Sequence, residues 1–140
     1  MAKITTFKSY QGDKPPTIPK PDEPVDPMIV NVQDGVPVVY PGCHGLGVRV
    51  VHPVNPKAPA KNMGLVLFYI PPHVVLEPGS HETEETYLIQ EGSGRMTFSN
   101  YQRDVTKGDF VYLPPWCVHG IENTGTDTLV VLIATSPPNP

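Results

Sequence analysis

The chain has 140 residues, carries 10 Lys+Arg against 14 Asp+Glu for a formal net charge of −4, and contains 19 prolines. That length suits one domain able to close a core without disulfide staples; the lack of any Lys/Arg cluster excludes the electrostatic footprint of a nucleic-acid binder; and the prolines exclude a mainly helical fold. With two isolated cysteines (Cys43 and Cys117), no apolar run of the roughly 18 residues that span a membrane, and no signal-type h-region at the N-terminus, a cytoplasmic protein with reduced thiols is expected, without nucleic-acid or membrane partners.

In chain order, residues 1–28 read as an arm. Lys14–Pro21 (Lys-Pro-Pro-Thr-Ile-Pro-Lys-Pro) has the composition of extended polyproline II. The arm is either a disordered tail or a segment that packs on a partner subunit, with Ile4, Phe7 and Tyr10 as its apolar anchors. Residues 29–140 read as one all-β domain. Strands are predicted at Val38–Tyr40, Gly47–His52, Gly64–Ile70, Glu85–Glu91, Gly94–Phe98, Asp109–Leu113, Val118–Glu122 and Thr128–Thr135, divided by Pro and Gly. Many short strands at regular spacing predict a sandwich or barrel.

The first group of candidate residues lies in Pro78-Gly79-Ser80-His81-Glu82-Thr83-Glu84-Glu85-Thr86-Tyr87. Alternation along a strand puts Glu85, Tyr87 and Ile89 on one face and Glu84, Thr86 and Leu88 on the other. A carboxylate among apolar neighbours needs a partner. His81 shares that parity, but on a straight strand it would sit roughly 13 Å from Glu85, so the chain must bend between them for the two to meet. The second group is Gly108-Asp109-Phe110-Val111-Tyr112-Leu113-Pro114-Pro115-Trp116-Cys117-Val118-His119-Gly120-Ile121-Glu122-Asn123, in which a strand stops at a double proline and another begins. Cys117, His119 and Ile121 share a parity there. A lone histidine of this kind is more often a hydrogen-bonded structural residue than a ligand.

Together the two segments resemble the paired signature motifs of the cupin superfamily. The first motif's second histidine, its glutamate and its closing glycine fall on His81, Glu85 and Gly92; the second motif falls on Gly108, Pro114, His119 and Asn123. The resemblance covers roughly residues 63–136 and implies a double-stranded β-helix, or jelly-roll barrel. Three positions depart from the pattern. His73 stands where the motif opens with Gly, Gly79 replaces the first histidine, and Trp116 replaces the glycine after the proline.

The resemblance implies a single divalent ion (Fe, Mn, Ni or Zn) held by His81, Glu85 and His119, with more open positions than a three-histidine site. Two imidazoles and one carboxylate suit non-haem Fe(II), and equally catalytic zinc. The implied function is a metal-dependent enzyme acting on a small polar molecule, tilted toward dioxygenase chemistry. The alternatives are an isomerase, lyase or decarboxylase, or a non-catalytic small-ligand binder. Tyr87 and the loop residue His44 are candidate catalytic groups, and Trp116, Cys117 and Arg49 candidate pocket residues. Glu84 would be the alternative carboxylate if the register slipped by one. A homodimer with a contributing arm is expected.

Overall fold

The computed structural model describes residues 2–7 and 14–138, so Tyr10 lies outside the described residues. After a short 3-10 turn at Val32–Asp34, ten strands follow: β1 (Val36–Val38), β2 (Leu46–Val51), β3 (Gly64–Ile70), β4 (Val75–Gly79), β5 (Glu84–Glu91), β6 (Ser93–Thr97), β7 (Gln102–Thr106), β8 (Phe110–Leu113), β9 (His119–Asn123) and β10 (Leu129–Ser136). They form a six-stranded sheet in the order β1-β2-β3-β10-β5-β8 and a four-stranded sheet in the order β4-β9-β6-β7. Every named pairing is antiparallel. No helix among the described residues is long and apolar enough to cross a membrane.

Strict alternation builds the large sheet's inner face. Val66, Phe68 and Ile70 of β3, Tyr87 and Ile89 of β5, and Leu129, Val131 and Ile133 of β10 are all buried. They meet Met96, Val105 and Ile121 of the small sheet in one apolar cluster. Each such side chain contributes about 1.5–3 kcal/mol by leaving water. Asn123 is buried at the end of β9, where its amide donates to the carbonyls of Ile70 at 2.7 Å and Asp127 at 2.8 Å and its oxygen accepts from Gly125 N at 2.9 Å. The motif's closing asparagine is thereby a staple between turns.

Three strand expectations need correction. β4 contains Pro78 and Gly79, which read as punctuation, but it lies at a sheet edge and carries an irregularity between Leu76 and Gly79, where proline is tolerated. β7 is the opposite edge and buries only Val105, so its sequence shows no alternation. The first strand runs Val36–Val38 rather than Val38–Tyr40, with Pro37 again on an edge strand.

The described residues before Val32 lie in no helix or strand. Ile4, Ile18, Val25, Met28 and Ile29 are exposed.

Candidate metal centre

Glu85 enters from β5 on the inner face, only 5% exposed. His119 opens β9 and is likewise buried. His81 sits in the bend between β4 and β5, its side chain 33% exposed. That bend, required by the spacing of His81 and Glu85, is fastened by Trp116 N, which donates to the His81 carbonyl at 2.8 Å.

Both imidazoles are oriented in the same way. His81 Nδ1 lies 2.9 Å from the Thr83 carbonyl oxygen, and His119 Nδ1 lies 2.8 Å from that of Cys117. A carbonyl only accepts, so each Nδ1 carries hydrogen and each neutral ring presents its Nε2 lone pair. Those lone pairs converge on one carboxylate: His81 Nε2 is 3.5 Å from Glu85 Oε1, and His119 Nε2 is 3.0 Å from Glu85 Oε2. One donor atom from each residue lies within 4.8 Å of the others. Two nitrogen lone pairs facing a buried carboxylate repel unless a positive charge stands between them. A proton on His119 or a divalent cation meets that need, so the donor set fits a metal ion.

The environment tunes two of these groups. Burial pulls His119 down, but the Glu85 hydrogen bond, the Cys117 carbonyl and the Glu85 charge outweigh it and leave the imidazole above its ordinary value. Tyr87 is pushed far up, first by burial and then by the charge of Glu85. Its ring meets that of His119 edge-on, with centroids 5.7 Å apart.

The triad lines a cavity of about 220 Å³. Val66, Phe68, Leu76 and Ile133 give it apolar walls, and Tyr40, Cys43, Tyr87 and Thr135 add polar atoms. Among the described residues, no Lys or Arg lines it.

Comparison with known proteins matches the cupin domain family to residues 66–135, half of the chain. The chain belongs to the cupin family. Among solved structures, this cupin is similar to a predicted oxalate decarboxylase from Thermotoga maritima (20% identity, TM-score 0.66, 79% of this chain and 99% of that one). It is similar also to the polyketide cyclase RemF from Streptomyces resistomycificus (20% identity, TM-score 0.67, 77% and 78%) and to KdgF from a Halomonas species (20% identity, TM-score 0.63, 79% and 94%). At that identity the likeness is one of fold. An uncharacterized protein of Methanocaldococcus jannaschii is 45% identical over 58 residues, 41% of this chain and 46% of that protein. The match thus spans under half the length of that curated relative.

The other candidate residues of this cupin are distributed unevenly. Tyr87 lines the cavity. His44, Arg49, Trp116 and Cys117 are not among its lining residues. His44 is exposed on its loop. The Arg49 guanidinium lies over the Tyr40 ring, 5.8 Å from its centroid, one side chain behind the cavity wall. Trp116 is 64% exposed and acts through its backbone. Cys117 precedes β9 and packs against the apolar core, its parity with His119 lost where the strand ends. Glu84 points outward and accepts from the Tyr112 hydroxyl at 2.6 Å. Tyr40, Cys43 and Thr135 were not anticipated. Thr135 alone had a signal, because it continues the inward parity of Leu129, Val131 and Ile133.

Proposed function

We propose that this cupin is a divalent-metal enzyme acting on a small polar organic molecule, with His81, Glu85 and His119 as the protein ligands. The observation that carries the reading is the convergence of two oriented Nε2 lone pairs and one buried carboxylate in the wall of a cavity. A bound divalent ion would supply Lewis-acid polarisation of a substrate oxygen and, as iron, reactivity with O2.

The chain's own residues have separate tasks. The Thr83 and Cys117 carbonyls keep each imidazole in the tautomer that can ligate. The Tyr87 hydroxyl stays protonated across the physiological range and offers a hydrogen bond to substrate beside the triad. Val66, Phe68, Leu76 and Ile133 exclude water, which strengthens each polar contact inside. This combination suits a molecule with a chelating polar end and a compact apolar body.

The two-histidine, one-carboxylate set favours Fe(II) and oxygen chemistry. A lyase or isomerase is the second reading, and it draws on the names of the Thermotoga and Streptomyces relatives, a decarboxylase and a cyclase, neither of which states an oxidation. The exposed apolar side chains of the arm suit a homodimer in which the arm covers, or is covered by, a second copy.

Elemental analysis of the protein as purified tests the metal reading. Near-stoichiometric iron, manganese, nickel or zinc is expected, and its loss in His81→Ala. A His119→Ala variant that keeps full metal stoichiometry would overturn the ligand assignment. Oxygen uptake by the iron-loaded protein then separates the two chemistries.

A further inference from the structure

A row of inner-face positions crosses the large sheet and ends at the triad. Thr135 of β10 is paired on one side with Glu85 of β5 and on the other with Gly64 of β3. His52 directly follows β2, the next strand in the sheet. His52, Thr135 and Glu85 are 3%, 4% and 5% exposed, so three polar side chains lie buried at this end of the large sheet.

Gly64 is what brings them together. A β-carbon there would lie 2.7 Å from Thr135 Oγ1, 3.1 Å from His52 Cδ2 and 3.7 Å from His52 Nε2. The imidazole edge and the threonine hydroxyl therefore both border the space that a side chain at Gly64 would take. A tight loop fixes His52 from behind: its N–H donates to the Ala58 carbonyl at 3.1 Å, and its carbonyl accepts from Asn55 N at 3.0 Å. The buried Asn55 amide in turn donates to the Val50 carbonyl at 2.6 Å.

The direction of hydrogen bonding along this row is set at both ends. Val54 N–H donates to His52 Nδ1 at 3.2 Å, so the neutral ring carries its hydrogen on Nε2, the nitrogen beside Gly64 and Thr135. At the other end a carboxylate only accepts. A hydroxyl between them satisfies both neighbours in one way alone, by accepting from Nε2–H and donating to Glu85. We propose that His52 and Thr135 are positioning residues that hold the Glu85 carboxylate in its ligating orientation, in a relay His52 Nε2–H to Thr135 Oγ1–H to Glu85. The proposal rests on the metal reading above for its purpose, but the relay needs no metal to form.

The test compares Thr135→Val, which keeps the shape and deletes the hydroxyl, with Thr135→Ser, which keeps the hydroxyl. Zinc affinity is read by competition with a chromophoric chelator. Deleting a hydrogen-bond partner of a metal ligand is expected to weaken binding about 10–100-fold in Thr135→Val, while Thr135→Ser stays within about threefold of wild type. NMR of the metal-free protein gives the second readout, a slowly exchanging His52 Nε2–H that is lost or displaced in Thr135→Val and kept in Thr135→Ser. Thr135→Val binding zinc as wild type does, or a His52 Nε2–H that exchanges freely in wild type, overturns the relay. Should Thr135→Val not fold, His52→Gln against His52→Leu makes the same comparison, with only the glutamine able to donate. A wild type that binds no zinc yet shows the protected, Thr135-dependent proton sinks the metal reading and leaves the relay standing.

Discussion

Gly79 and His119 are paired across β4 and β9, so the two positions face the same side of the small sheet. His119 uses that side to reach Glu85, and a β-carbon at Gly79 would meet no atom within 4 Å. Gly79 is also where the cupin motif places its first histidine. The motif position of the first histidine is thus held here by a glycine that faces the side His119 uses and has room for a β-carbon.

Gly79→His is therefore expected to tighten metal binding, by about tenfold or more if the new imidazole ligates, since no neighbour has to move to admit its β-carbon. The absorption spectrum of the cobalt-substituted protein should change with it, because one exchangeable position is exchanged for nitrogen. Unchanged affinity and an unchanged spectrum would mean that the bend at His81 holds the triad out of reach of residue 79.

The raised value of His119 has two pH signatures of opposite sign. Burial acts against the charged ring, but the hydrogen bond to Glu85 prevails, so the metal-free protein holds this proton more tightly folded than unfolded. Its contribution to stability is complete below the ordinary histidine value of about 6.5 and is lost as pH rises through the folded value. Melting temperature of the metal-free protein should therefore fall as pH rises above about 6.5 through the folded value, and Glu85→Gln should flatten that slope. Zinc affinity should move the other way, weakening as pH drops through the His119 value, because the proton and the ion compete for one Nε2. A metal-free protein whose stability rises over the same window would show that the pair is broken in solution.

Eight of the ten strands were legible from alternation and Pro/Gly punctuation, whereas the triad was legible only through the resemblance of two segments to the cupin motifs. Alternation in β3, β5 and β10 is strict, and it placed Glu85 and Tyr87 inward as predicted. Edge strands were harder, because β4 and β7 bury one face poorly and carry proline or charge instead of a pattern. The cavity wall was harder still. Cys43 and Tyr40 reach it from a loop, where no periodicity reports direction, and His52 and Thr135 both border the space that a side chain at Gly64 would take. Arg49, Trp116 and Cys117 fall away from the cavity for equally local reasons: a stack on Tyr40, a left-handed turn and a strand that starts two residues later.

That left-handed turn is testable. Gly92 and Gly108, which stand at glycine positions of the cupin motifs, have φ of 87° and 95°, the region that favours glycine. The two motif glycines that this chain lacks are His73 and Trp116, and these are the non-glycine residues with positive φ among the described residues, at 70° and 66°. The motif glycines thus mark backbone turns, and this cupin keeps the turns while carrying side chains in them. A side chain in that region costs about 1–2 kcal/mol, and glycine's extra freedom in the unfolded chain takes back about 0.5–1 kcal/mol. Trp116→Gly is expected to stabilise the protein by about 0.5–1 kcal/mol, a rise of roughly 1–4 °C in melting temperature for a domain of this size. Because Trp116 holds the His81 bend through its backbone N–H, zinc affinity should stay within about twofold of wild type. A melting temperature that falls instead would assign the exposed indole a contact worth more than the strain, and a loss of zinc affinity alongside it would place that contact at the His81 bend.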